Sequence, residues 1–260
     1  MRKFLRSVMV IVGAGLFTVA CEESPPVPGG NSSSSATTSS TSAESGEKAS
    51  ASTVAVWPPT PDNAIIIAYF LQQVNIMVVY DGSGSMDNNA CGASGNRHQS
   101  AVLAVKQFVN AVPNDANLGL YVFDNRGVDL RVPLGTNNKV AFNAALDKIS
   151  IGSGTPLKSA ITAAYYVLER QAQTQLGYGR YILLIVTDGE ANTGQSPTRV
   201  VNYMVDNTPI EVHTVGLCIR GNHSLNQPGR TFYTDAQNPD QLIAGLTAAL
   251  AEATEDEVTF

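Results

Sequence analysis

Six short strand-like runs, most of them apolar, alternate with amphipathic stretches along the C-terminal two hundred residues of the chain. The runs are Asn75 to Tyr80, Leu118 to Phe123, Val128 to Pro133, Tyr181 to Val186, Ile210 to Leu217 and Arg230 to Thr234. Tyr181 to Val186 is apolar at every position, which is the pattern of a strand covered on both faces in a parallel sheet. Between the runs, apolar residues recur at spacings of three and four. Val102, Val105, Phe108, Val109 and Val112 mark one face of a helix over His98 to Val112. Further helices are expected over Asn138 to Ile149, from Pro156 to near Gly177, over Thr198 to Val205 and over Pro239 to Glu252, the last with Leu242, Leu246 and Leu250 on one side. Alternating strands and helices imply an α/β fold, doubly wound around a mostly parallel six-stranded sheet. The second and third runs are joined by Asp124-Asn125-Arg126-Gly127, a hairpin link that makes one edge strand antiparallel. Ala64 to Leu71 is apolar at nearly every residue and reads as a short buried cover element, strand or helical turn.

The first sixty residues carry a different pattern. Arg2, Lys3 and Arg6 precede an apolar stretch from Ser7 to Ala20, too short to span a bilayer and laid out as an export signal over residues 1–20. Phe17-Thr18-Val19-Ala20-Cys21 resembles a bacterial lipobox, with threonine where leucine is usual. Thr18 and Ala20 also satisfy an ordinary small-x-small cleavage site, so both routes stay open. Lipidation of Cys21 is the favoured reading, because a cysteine heading a serine-rich segment has no packing role. Residues 21–62 are rich in Ser, Thr, Ala, Pro and Gly, cannot offset the entropy of ordering, and read as a disordered tether with a reach of about 35 Å. The folded domain is expected over 63–260.

The formal net charge of the whole chain is −6. Without residues 1–20 it holds 13 Lys and Arg against 22 Asp and Glu, a formal −9. Such a surface argues against nucleic acid as a partner. Besides Cys21 there are two cysteines, Cys91 and Cys218. Their loops open on the same sheet edge with one strand between them, so a disulfide requires one loop to lean across, and a bridge or two thiols both remain open.

The chemistry gathers at that edge. Asp81 ends the first strand and is followed by Gly82-Ser83-Gly84-Ser85; Asp188 ends the fourth; Thr155 lies on the loop Gly152-Ser153-Gly154-Thr155 before a helix. In doubly wound sheets, ligands bind outside the carboxyl ends of the strands, where such loops converge. Two carboxylates and three hydroxyls form a hard-oxygen donor set, suited to an octahedral ion such as Mg²⁺.

These residues resemble the metal-ion-dependent adhesion site (MIDAS) of von Willebrand factor type A domains: Asp-x-Ser-x-Ser at 81 to 85, threonine in a Gly-Thr-Pro loop at 155, and aspartate in Thr-Asp-Gly at 188. The likeness spans about residues 73 to 255. It implies a Rossmann-like fold with strand order 3-2-1-4-5-6. It also implies that Ser83 and Ser85 bind Mg²⁺ (or Mn²⁺ or Ca²⁺) directly, that Asp81 and Asp188 act largely through water, and that Thr155 joins when a ligand is held. An acidic side chain of a protein partner would then complete the coordination.

Other site chemistries fail on spacing. A calcium loop counted from Asp81 meets Met86 where its turn glycine belongs and Gly92 where its bidentate glutamate belongs. The mature chain lacks a Gly-x-Ser-x-Gly elbow and a Walker phosphate loop. Of Asp87, Asn88 and Asn89, two are amides, so they read as a solvated turn rather than a second ion site. His98 reads as solvated, His213 as a core residue, and His223 has no assigned role. The sequence therefore points to a binding module and not an enzyme, lipid-anchored at a bacterial envelope. Glu22 after Cys21 leans toward the outer membrane or cell surface rather than the inner membrane. The alternative is a structural or assembly factor in which the metal only orders the loops.

Overall fold

Strand β1 (Val74–Asp81) is buried from Asn75 to its end, and everything else is arranged around it. The computed structural model describes residues 56–219 and 222–254; the expected export signal, Cys21 and the expected tether up to residue 55 lie outside them. β1 pairs in parallel with β2 (Asn117–Asp124) on one side and with β4 (Arg180–Thr187) on the other. β4 continues to β5 (Ile210–Leu217) and β6 (Phe232–Ala236), both parallel. β3 (Gly127–Gly135) folds back on β2 as the antiparallel edge. The order is β3-β2-β1-β4-β5-β6, as the resemblance implied.

Alternation along β1 divides the core. Ile76, Val78 and Tyr80 face helices α1 (Arg97–Ala111), α2 (Lys139–Leu146) and α5 (Pro239–Thr254), whose Val105, Phe108, Phe142, Leu146, Leu242 and Leu246 close that layer. Met77 and Val79 face α3 (Leu157–Thr174) and α4 (Thr198–Asn207), which contribute Leu157, Ile161, Leu168, Val201 and Met204. With helices on both faces, all the strand interiors can be apolar. No helix among the described residues is long and apolar enough to cross a membrane.

Three expectations shift. β6 begins at Phe232 and not Arg230, because Arg230 and Thr231 donate backbone N–H bonds back to the Gln227 carbonyl and close a turn first. α2 stops at Leu146, where Lys148 and Ile149 bond three residues back and tighten the chain. The expected cover element at 64–71 is neither strand nor helix, nor is it buried. Ala68 N–H donates to the Thr174 carbonyl at the end of α3, while Ile66 and Tyr69 are 90% and 91% exposed. The helices already close both core layers, so its apolar groups find no space to enter. Residues 56–62, counted above with the tether, lie against the domain: Trp57 meets Tyr181 edge-on, ring centroids 4.8 Å apart.

Candidate metal centre

Asp81 stands at the last position of β1, wholly buried, and its two oxygens are both engaged. Oδ1 accepts the Ser83 backbone N–H at 2.8 Å, the local bond that an aspartate makes to turn its own chain. Oδ2 accepts the Thr187 hydroxyl at 2.6 Å from the neighbouring strand. Burial raises the Asp81 carboxyl to about 6, with the nearby Asp188 charge adding to the rise and the bonds from Ser83 and Thr187 opposing it.

From there the chain enters a short 3₁₀ turn, Gly84–Asp87. Met86 is its apolar anchor, fully buried in the α1 layer, so the two serines on either side of Gly84 are held at the surface of the core. Gly82 is needed for close approach: a Cβ there would stand 2.8 Å from Asp124 Cβ and 2.9 Å from the Phe123 carbonyl.

Ser83 Oγ and Ser85 Oγ lie 3.0 Å apart, and Ser85 Oγ donates to Asp188 Oδ1 at 2.7 Å. Four of the five residues expected at the site are thus linked side by side. The fifth, Thr155, is buried in the adjoining loop, which is tied to the serine loop by backbone bonds from Gly84 N–H to the Ser153 carbonyl (3.1 Å) and from Gly152 N–H to the Gly82 carbonyl (2.9 Å). Ser153 takes a left-handed backbone, φ 68°, a conformation costly for a non-glycine and concentrated at functional loops. The Thr155 carbonyl accepts from Asn192 N–H, and a Cβ on Gly154 would collide with the Asn192 amide, so this loop also packs tightly on the segment after Asp188.

In an octahedron with oxygens about 2.1 Å from the ion, neighbouring oxygens stand about 3.0 Å apart. The Ser83–Ser85 separation fits one such edge. With its proton directed at Asp188 and one lone pair accepting the Ser83 hydroxyl, Ser85 keeps its other lone pair for a cation. Among the described residues no three His, Cys, Asp or Glu side chains gather; the donor set at this edge is two carboxylates and three hydroxyls.

Several participants were not among the expected site residues. Thr187 braces Asp81. Arg97, at the start of α1, pairs through Nη1 with Asp188 Oδ2 at 2.8 Å. His223, buried, donates from Nε2 to the Gly189 carbonyl (3.0 Å) and accepts the Leu225 N–H at Nδ1 (3.1 Å), clamping the loop that carries Asp188. His98, expected in solvent, is half-buried beside Tyr80, its Nδ1 2.9 Å from the Tyr80 hydroxyl, and burial lowers its pKa. His213 is buried in β5 and stacks on Phe232. Asp87 accepts from Asn96, which caps α1 together with Gln99; that turn is committed to the helix. Cys91 and Cys218 are joined by a disulfide with Cα atoms 5.6 Å apart, the 218 end in a left-handed backbone (φ 60°) that lets its loop lean over.

Residues 76–190 match the family model of the von Willebrand factor type A domain, and the six-stranded sheet in the order 3-2-1-4-5-6, with one antiparallel pair and helices on both faces, is the fold of that domain. The chain is 24% identical over 195 residues to the uncharacterized protein YwmD of Bacillus subtilis (strain 168), covering 64% of this chain and 80% of that one. Among solved structures it resembles the pilus adhesin SpaC from Lactobacillus rhamnosus GG, with a TM-score of 0.56, 18% identity, and coverage of 72% of this chain and 31% of the adhesin. It also resembles proximal thread matrix protein 1 from the mussel byssus, solved with zinc occupying its MIDAS motif, with a TM-score of 0.52, 18% identity, and coverage of 70% and 46%. At these identities the structural likenesses speak for the fold.

Proposed function

We propose that this protein is a binding module that grips an acidic residue of a protein partner through a divalent cation, Mg²⁺ or Mn²⁺ with Ca²⁺ as a further option. Ser83 and Ser85 would hold the ion directly, Thr155 would join them when ligand is held, and Asp81 and Asp188 would act from behind, largely through water. The observation that carries this reading is the 3.0 Å hydroxyl pair with its proton acceptor in place. When bound, the cation supplies an electrophilic point for a carboxylate. Neutral hydroxyls in contact with it leave most of its charge available to an incoming anion. The adhesin and the zinc-bound byssus protein support the reading by analogy of fold.

The histidines support binding over catalysis. Both nitrogens of His223 are engaged by backbone groups, and His98 is turned to Tyr80, so neither is free to serve as a base at this rim. The alternative, an assembly factor in which metal only orders the loops, has less support, because protein hydrogen bonds already hold these loops.

Titration of the full chain with Mn²⁺ by calorimetry tests the reading. Saturable binding is expected, lost in Ser83→Ala with the circular dichroism unchanged; wild type that takes up no heat with Mn²⁺ would falsify it. Thr155→Ala separates the two readings: weakened metal-dependent partner capture supports the module, unchanged capture the assembly factor. The reading places the module at a bacterial envelope, tethered through lipid on Cys21 and facing the outer membrane or the cell surface. Labelling with a palmitate analogue, abolished in Cys21→Ala, is the expected result there.

A further inference from the structure

Arg97 reaches from the first turn of α1 across the rim. Its Nη1 lies 2.8 Å from Asp188 Oδ2 and 3.5 Å from the Asp188 carbonyl oxygen. The two side chains are 20% and 0% exposed, so water and salt screen this pair only weakly. The position is built. Asn96 caps α1 through the Gln99 backbone and binds Asp87, the residue that ends the Ser85 turn. Arg97 is therefore fixed by the same turn that carries the serine pair. Its Nε is buried with no hydrogen-bond partner among the described residues, so the ion pair, and not satisfaction of the group's own donors, sets its orientation.

Asp188 is thus shared: Oδ1 faces Ser85 and Oδ2 faces a positively charged guanidinium. A cation beside Ser85 would stand on the near side of a carboxylate whose far side already holds a positive charge. Two carboxylates would neutralise a divalent ion by themselves; Arg97 leaves the loaded centre one negative charge short. A partner's carboxylate carries that one charge.

We infer that Arg97 is a specificity-determining residue of this site, whose fixed charge weakens the hold on a bare divalent cation and makes that hold depend on an added carboxylate. The inference rests on the metal-binding reading given under Proposed function. Its consequence is a module that loads weakly until an acidic ligand arrives, so metal and partner bind cooperatively.

The test uses Mn²⁺ binding to the full chain, followed by the electron paramagnetic resonance signal of the free ion, in chloride buffer and again with sodium acetate at constant ionic strength. Wild type, Arg97→Gln and Arg97→Lys are compared, with circular dichroism as the check on folding. Arg97→Gln is expected to bind Mn²⁺ about ten-fold more tightly than wild type in chloride. Acetate should strengthen binding by wild type and Arg97→Lys and change Arg97→Gln little. In chelator, Arg97→Gln should melt below wild type and gain more on addition of Mn²⁺. Equal or weaker binding by Arg97→Gln overturns the inference, weaker binding assigning Arg97 to orienting Asp188 alone. Absence of any acetate effect on wild type overturns it whether or not the variants fold. Mn²⁺ ignored by all three proteins removes the metal reading itself, and this inference with it, a result distinct from a wild type that binds while Arg97→Gln is unchanged.

Discussion

The two ends of β1 and β4 are built from opposite materials. At the carboxyl ends, Asp81, Thr187, Asp188 and the serine turn form a buried polar rim in which side chains are positioned by named hydrogen bonds and one ion pair. At the amino ends, residues 56–73 are laid across the end of α3 by a few bonds, such as Gln173 Nε2 to the Pro59 carbonyl and Gln175 Nε2 to the Leu71 carbonyl. Ile66, Tyr69 and Phe70 there are left in solvent. Burial of polar groups forces pairing, because each unpaired one costs on the order of 1–3 kcal/mol. Exposure of apolar groups forces nothing. The rim is accordingly over-determined, and the opposite end is not.

The contrast breaks most sharply at the disulfide that closes the rim. Cys91 and Cys218 are 127 residues apart, and opening so long a loop in the unfolded chain is expected to cost about 4 kcal/mol. Cys91→Ser with Cys218→Ser should lower the denaturant midpoint by a matching amount. Next in size is Asp124, at the carboxyl end of β2. Its buried carboxylate accepts from the Arg126 and Ser150 backbone N–H groups and pairs with the Arg126 and Arg131 guanidinia. Asp124→Asn should cost about 3 kcal/mol, since it leaves guanidinia without their anion. Burial alone would raise the Asp124 carboxyl, but the backbone and guanidinium hydrogen bonds and the Arg131 charge outweigh it and hold its pKa below the ordinary value. A lowered folded-state pKa means the advantage over asparagine is complete above the unfolded value of about 3.9 and disappears as pH falls through the lowered one. Urea melts of both proteins from pH 7 down to pH 2 measure that gap; a gap that stays constant across the range would refute the assignment.

The rim was legible from sequence because its donors lie in short local motifs at strand ends, where the strand pattern itself places them: Asp81 to Ser85 in one turn, Thr155 and Asp188 each beside a glycine. Arg97 and His223 were not, and Thr187, though it stands in the Thr-Asp-Gly motif, gave no sign of its bond to Asp81. Each acts on a residue dozens of positions away, and its role exists only once the strands are paired and α1 is docked. The strands β1 and β4 were readable because they are covered on both faces and therefore apolar through nearly all of their length. Segment 64–71 has nearly the same composition and a different fate. Apolarity reports what a residue would gain by burial, and not whether the helices have left room for it.

The smallest effects are expected at the amino end, and there the contrast between residue types is itself the test. Trp57 is half-buried against Tyr181, so Trp57→Ala should cost about 2 kcal/mol, less than a fully buried aromatic. Ile66→Ser and Tyr69→Ser lie only nine and twelve residues further on, yet should change stability by less than about 0.5 kcal/mol, as at other exposed sites without partners in the core. Thermal melts of the three variants decide the matter. Should Tyr69→Ser destabilise as much as Trp57→Ala, segment 64–71 would be part of the core, and the asymmetry between a determined rim and a loosely covered opposite end would fail.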